Sequence, residues 1–145
     1  TILVKAFLTQ ADYLQVNQED ILIMVTEDNP TNRLMAENSS MEQLKSYLCT
    51  RYDVDAIFAQ TGTSRNALIV QLLIDIALYH LHARIDPEMI PDIRRERYKN
   101  AIEWLKDVAS ELINPVGLPP LTAADGSDES GFRRFGSNNS LISQW

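Results

Sequence analysis

Residues 65–85 read RNALIVQLLIDIALYHLHARI, and this stretch decides the fold. As a helix it is apolar on most of its circumference and leaves one polar line through Gln71, Asp75 and His82. Such a helix has to be covered on several sides by other elements. The sequence therefore predicts a bundle that is built around this segment.

The same stretch does not indicate a membrane span. Its apolar run from residue 67 to residue 81 is interrupted by Gln71, Asp75 and His80, whereas a span needs about 20 predominantly apolar residues. The N-terminus shows no pattern typical of a secretory signal. The single cysteine, Cys49, excludes an internal disulfide and fits a reducing compartment. We therefore expect a soluble chain that is made in the cytoplasm.

Helical patterns precede this central segment. Thr9 can cap a short helix, and a second short helix is predicted from about Asn17 to Val25. Asn29-Pro30 favours the start of a long helix, because asparagine is a good N-cap and proline at the first position loses no intrahelical hydrogen bond. That helix is predicted to continue to residues 51–52, with a weak point at residues 38–40.

Further patterns follow the long helix. Residues 53–63 are predicted to be a connector, with Ser64 as the cap of the central helix. Pro87 ends the central helix, and Pro91 can stand at the first position of a last one. The apolar stripe of that last helix recurs at intervals of three and four: Tyr98, Ala101, Ile102, Leu105, Val108, Ala109 and Leu112.

These patterns predict an all-α protein with two parts. Residues 1–113 form a small bundle of about four to five helices, and residues 114–145 form an extended C-terminal arm. The arm holds three of the six prolines and four of the five glycines. Its large apolar side chains have no local core in which to bury, which favours contact with a neighbouring surface. These side chains are Phe132, Phe135, Leu141, Ile142 and Trp145.

The net charge of −7 is unevenly distributed, since residues 1–63 carry nine acids against four bases. Tight binding to nucleic acid draws on clustered lysine and arginine, which displace counterions from phosphates. No basic stripe of that kind occurs in the sequence. We therefore expect no specific binding to DNA.

Candidate chemical groups are sparse. His80 and His82 are two residues apart on a predicted helix and point in different directions, so they do not form a local metal pair. Cys49 has no catalytic pattern around it and is predicted to be a buried structural thiol. We expect no enzyme activity, no catalytic, metal or cofactor-binding residues, and no small-molecule substrate.

Charged residues suggest contacts instead of catalysis. Asp75 lies within an apolar run and needs a partner, for which an arginine is favoured over general-base chemistry. Arg94 and Arg95 lie in a basic first turn, where positive charge opposes the helix dipole. Acids of the same chain can offset that charge, and so can the acidic half of a neighbouring subunit. The interface candidates are Arg94, Arg95, Phe132, Arg133, Arg134, Phe135, Leu141 and Trp145.

Three sequence blocks resemble a known family. Residues 46–52, SYLCTRY, resemble its S-Y-L-x-x-R-Y helix end, and residues 75–81, DIALYHL, resemble its D-I-A-x-Y-x-L helix. Residues 97–109, RYKNAIEWLKDVA, are similar to its R-Y-x-x-A-x-x-W-L-x-x-V-A pattern. The family is that of Mu-like prophage proteins grouped with phage head-tail connector, or adaptor, subunits.

The resemblance implies a structural virion protein at the head-tail junction. It implies a homo-oligomeric ring below the portal, an arm that reaches a neighbouring subunit or the next ring, and contacts with portal and tail or neck proteins. DNA would pass through an acidic lumen without specific binding. A different hypothesis is a small helical protein-binding regulator encoded on a mobile element. Neighbouring portal, capsid and tail genes would favour the first hypothesis, and a lone two-gene operon the second.

Overall fold

The computed structural model describes residues 7–121, and this part of the chain folds into six α-helices and one 3₁₀ turn. The all-α prediction is confirmed, with more helices than the four to five expected. The helices are α1 (Gln10–Leu14), α2 (Glu19–Thr26), α3 (Pro30–Leu48), α4 (Val54–Ala59), α5 (Ala67–Ile85) and α6 (Asp92–Ala109).

Helix α5 lies at the centre of the bundle, as its sequence predicts. It packs mainly against α3 and α6 and also contacts α1 and α2. Leu73, Ile76 and Leu78 are completely buried in the resulting core. By length and composition α5 does meet the criterion for a membrane-crossing helix, contrary to our expectation from its polar interruptions. In the bundle, however, 56% of the apolar segment of α5 is buried, as in the core helix of a globular domain.

The helix starts follow side-chain capping. Asn29 accepts a hydrogen bond from the Thr31 amide at 3.0 Å at the start of α3, as predicted. This helix continues unbroken through residues 38–40. The predicted cap at Ser64 is wrong, because residues 62–64 form the 3₁₀ turn. Instead Asn66 accepts from the amides of Leu68 and Ile69 and begins α5.

The predicted connector contains a helix that periodicity did not reveal. Asp53 accepts from the Ala56 amide at 3.2 Å and caps α4. Ile57 then reaches the core and is almost fully buried. A helix of six residues is too short for a repeating apolar pattern, and tertiary packing stabilises it.

Two predictions near helix ends are wrong. Cys49 is exposed and not buried, because α3 ends at Leu48. Leu112 is also exposed, because α6 ends at Ala109 and Glu111 adopts a left-handed conformation with φ of 68°. That turn takes Leu112 off the apolar stripe of α6.

Residues 115–121, the beginning of the predicted arm, lie along the bundle. Pro120 forms an isolated antiparallel bridge with Tyr52, and the Asp53 amide donates to the Pro119 carbonyl at 3.0 Å. Leu118 is buried in the core cluster. The arm beyond residue 121, including Phe132, Arg133, Arg134, Phe135, Leu141 and Trp145, lies outside the described residues.

Candidate assembly site

Arg51 joins the end of α3 to the end of α6. Its Nη1 donates to the carbonyl oxygens of Val108 at 2.5 Å and Ile113 at 3.0 Å, and its Nη2 donates to the Asn114 side chain. Carbonyl groups at a helix C-terminus have few intrahelical partners, so a cation there satisfies them and complements the helix dipole. We call this set of contacts the Arg51 clasp. It fixes the place at which the C-terminal segment leaves the bundle.

A second contact holds the same segment at the start of α5. The Asn66 side chain donates to the Val116 carbonyl at 3.3 Å. The next residue, Gly117, has φ of 84°, a conformation that favours glycine. The Leu121 amide donates to the Arg51 carbonyl at 3.3 Å. The described part of the chain therefore ends beside the C-terminus of α3, close to the Arg51 clasp.

Asp75 of α5 faces two arginines of α6. Only 5% of Asp75 is exposed, and its Oδ1 lies 3.9 Å from Nη1 of both Arg94 and Arg97. The structure thus places Asp75 with arginine, as predicted. A distance of 3.9 Å is too long for a hydrogen bond. Within the described residues, neither Asp75 Oδ1 nor Arg94 Nη1 has a hydrogen-bond partner.

Burial dominates the electrostatics of this cluster. Burial raises the pKa of Asp75, and the nearby Arg97 and Arg94 offset only part of that effect. Burial likewise lowers the pKa of Arg94, and it lowers the pKa of His82, which also faces Arg94. Burial disfavours the charged form of each group, because a nonpolar interior stabilises ions less than water does. The cluster is therefore incompletely satisfied.

The two predicted interface arginines lie in different surroundings. Arg94 is buried against Asp75 and does not face solvent. Arg95 is exposed, with its Nη1 3.9 Å from the Asp92 carboxylate one turn earlier. Of the two, Arg95 is therefore the one available to a neighbouring subunit, and this contact stays a prediction.

A groove runs between α5 and α6 beside Asp75. It has a volume of about 380 Å³. Ile93 and Leu68 are 51% and 41% exposed, and Trp104 is half-buried. The residues that line this α5–α6 groove are Leu68, Gln71, Leu72, Asp75, Ile93, Glu96, Arg97, Asn100, Ala101 and Trp104.

On another part of α5 and α6, aromatic side chains pack against one another. The rings of Tyr79 and Tyr98 stack with centroids 4.0 Å apart and an interplanar angle of 12°. His80 packs edge-on against both rings. In residues 7–121 no three histidine, cysteine, aspartate or glutamate side chains are grouped so as to hold a metal ion.

Sequence reasoning missed a second aspartate–arginine pair. Arg65 Nη1 and Nη2 donate to the two carboxylate oxygens of Asp12 at 2.7 and 3.0 Å. Arg65 also donates to the carbonyls of Phe7 and Gly62, both at 2.8 Å. The hydrogen bonds from Arg65 lower the pKa of Asp12. No pattern in the sequence links these positions, which lie 53 residues apart.

A third buried polar contact connects α1 to α3. The Tyr13 hydroxyl donates to Glu37 Oε2 at 2.7 Å, and Arg33 Nε lies 3.1 Å from the same oxygen. Burial raises the pKa of Glu37. Tyr13 is completely buried, so this contact stabilises the packing of the N-terminal helices.

Comparison with known proteins supports a family assignment for the whole described fold. A family model described as Bacteriophage Mu, Gp36 matches residues 7–131, which is most of the chain. The matched range contains the six helices, the Arg51 clasp and the α5–α6 groove. No curated protein and no solved structure matches the chain.

Proposed function

The chain belongs to the Bacteriophage Mu, Gp36 family, and on that basis we propose that it is a head-tail connector, or adaptor, subunit of a phage virion. In this proposal, copies of the chain form a ring below the portal at the head-tail junction. The ring completes the DNA-filled head and docks the tail. The observation that carries the proposal is the family match over residues 7–131.

The way in which the C-terminal segment is held supports this proposal. The Arg51 clasp and the bridge from Tyr52 to Pro120 hold residues 113–120 against the helical bundle. A segment that leaves a folded domain at a fixed point is suited to connect one subunit to the next. Arg51 and Tyr52 belong to one of the sequence blocks that resemble connector subunits. The clasp gives Arg51 a physical role, and the bridge to Pro120 gives one to Tyr52.

The charge of the chain also supports the proposal. Its net charge is −7. Acidic surfaces repel the phosphate backbone, so DNA passes through an acidic channel without adhering to it. We infer that the chain acts through assembly and not through catalysis or a bound small molecule, since its sequence lacks a nucleophile, dinucleotide or phosphate-binding pattern.

The proposal is tested with the full chain and the portal protein of the same phage. Electron microscopy and sedimentation velocity should show a closed ring that has a central opening and binds one end of the portal. The portal alone is the control for that binding. A chain that stays monomeric at every concentration, and also with the portal present, would contradict the proposal.

The exposed Arg95 offers a matched pair of variants for the same assay. Arg95→Glu should weaken ring formation without changing the melting curve, because Arg95 makes only an exposed contact within its own chain. Lys106→Glu makes the same charge change at another exposed position of α6 and should assemble normally. Equal assembly by both variants would remove Arg95 from the ring contact.

A further inference from the structure

The arm and the α5–α6 groove have complementary chemistry. We propose that the groove binds residues 132–135, Phe-Arg-Arg-Phe, of a second copy of this chain. This inference rests on the proposed function, because it names the surface on which the arm of one subunit holds the next. A contact between different surfaces of two identical subunits repeats around a ring when the rotation closes.

Residues 7–121 leave the apolar part of the groove uncovered. Leu68 and Ile93 remain about half exposed on its two sides, and Trp104 is half-buried. Aromatic side chains that enter such a site remove apolar surface from water on both partners. Phe132 and Phe135 are the first large apolar side chains after Leu121 in the sequence.

The charged side chains that line the groove carry more carboxylates than guanidinium groups. Asp75 and Glu96 place two carboxylates in its lining, against the single guanidinium of Arg97. Among residues 7–121, Asp75 Oδ1 has no hydrogen-bond partner, and only 5% of Asp75 is exposed. A guanidinium presents five N–H donors in a planar fork that matches a carboxylate. Arg133 and Arg134 supply this group, and residues 130–145 contain no acid that would compete for it.

The length of the arm allows it to reach a second copy. Phe132 follows Leu121 by eleven residues, which span up to about 36–40 Å when extended. A compact chain of this size has a radius of gyration of about 15 Å, so equivalent positions on adjacent copies lie within that range. Residues 122–131 contain no large apolar side chain and have the composition of a solvated connector.

Two variants separate the groove from the arm in one mixing experiment. The groove variant is Leu68→Lys with Ile93→Lys, two positions whose side chains are exposed in the single bundle. The arm variant is Phe132→Ala with Phe135→Ala. The control is Met89→Lys, an exposed apolar position that does not line the groove. Circular dichroism of each protein shows that it is folded, and sedimentation velocity gives its size.

Each variant alone should stay monomeric, while Met89→Lys should associate like the unchanged chain. An equimolar mixture of groove and arm variants should form a dimer that does not grow, because it contains one functional arm and one functional groove. Mixtures that stay monomeric while Met89→Lys associates would overturn the inference and leave the proposed function standing. If the groove variant and the arm variant each associate when they are alone, that result would also overturn the inference and leave the proposed function standing.

A peptide of residues 130–137 tests the contact without ring formation. Fluorescence anisotropy should show saturable binding of the labelled peptide to the full-length arm variant. Binding should be about tenfold weaker when Leu68→Lys and Ile93→Lys are added. Equal binding to both proteins, or none to either, would overturn the inference even if the unchanged chain forms rings.

Discussion

Asp12 and Asp75 are both buried carboxylates that face arginine, but only Asp12 is hydrogen-bonded to its partner. Arg65 donates to both oxygens of Asp12 at 2.7 and 3.0 Å, whereas Arg94 and Arg97 stay 3.9 Å from Asp75. The pKa of Asp12 is lowered by its hydrogen bonds, and that of Asp75 is raised by burial. Aspartate and arginine thus form a hydrogen-bonded pair at Asp12, which we call the closed contact. At Asp75 they form a pair without hydrogen bonds, which we call the open contact.

The difference indicates a structural role for the Asp12–Arg65 contact and a binding role for the Asp75 cluster. The Asp12–Arg65 contact also satisfies the carbonyls of Phe7 and Gly62, so it holds the N-terminal residues to the start of α5. The Asp75 cluster borders a groove, and in the described part of the chain its atoms Asp75 Oδ1 and Arg94 Nη1 have no hydrogen-bond partner. A buried polar group without a hydrogen bond is costly, so a ligand that supplies one gains affinity.

The largest expected effect breaks the closed contact. Arg65→Ala leaves the buried Asp12 carboxylate unpaired and should lower the free energy of unfolding by about 3–5 kcal/mol. Urea denaturation followed by circular dichroism measures this change. Arg95→Ala is the control and should stay within about 0.5 kcal/mol of the unchanged chain. A similar small loss for Arg65→Ala would show that the contact does not stabilise the fold.

Two truncations test whether the C-terminal segment that packs on the bundle stabilises it. A chain that ends after Asn114 loses the buried Leu118 and the bridge at Pro120, and should be less stable by about 2 kcal/mol. A chain that ends after Leu121 keeps both contacts and should unfold like the full chain in urea. Equal stability of the two truncated chains would mean that residues 115–121 do not stabilise the bundle.

Replacing both partners of each pair sharpens the comparison. Asp75→Leu with Arg94→Met should leave the free energy of unfolding unchanged or raise it by about 1 kcal/mol, because an unsatisfied charge pair gives way to apolar packing. Asp12→Leu with Arg65→Met should lower it by about 1–3 kcal/mol, since hydrogen bonds to charged groups are lost. Thermal and urea unfolding of both double variants give the values, and a loss of stability at Asp75 equal to that at Asp12 would refute the distinction.

The smallest expected effect is an opposite dependence on pH. The stabilisation from Asp12, whose folded pKa is lowered, is present above its ordinary value of 3.8 and is lost as pH falls through the folded pKa. Asp75 has a raised folded pKa, so its favourable contribution is present below 3.8 and is lost as pH rises through the folded pKa. Stability differences between the unchanged chain and each double variant, measured from pH 3 to pH 7, should therefore move in opposite directions on acidification. Parallel changes would contradict the assigned shifts.

Local rules predicted much of the fold from the sequence. Asn29-Pro30 begins α3, and the apolar circumference of α5 predicts its central place. The need of Asp75 for an arginine also followed from its apolar neighbours. Helix ends were harder to predict. Leu112 fits the helical spacing of α6, but the backbone turns before it can pack, and Cys49 lies just past the end of α3 and is exposed.

The contacts that organise the candidate site could not be read from spacing. Asp12 and Arg65 meet because α1 and the start of α5 pack together, and the Arg51 clasp forms because α3 and α6 end at the same side. Such pairs depend on tertiary packing between distant segments. The α5–α6 groove is likewise a product of that packing, because Leu68 and Ile93 come from different helices.

The arm-to-groove contact between two subunits is tested most directly by a disulfide cross-link. Cys49→Ala removes the one native thiol and serves as the background. One pool carries Ile93→Cys, and a second pool, lengthened by a tag, carries Phe135→Cys. Mild oxidation of the mixture should give a reducible heterodimer of intermediate size on a non-reducing gel. No such product, or an equal amount when Met89→Cys replaces Ile93→Cys, would contradict the proposed contact between subunits.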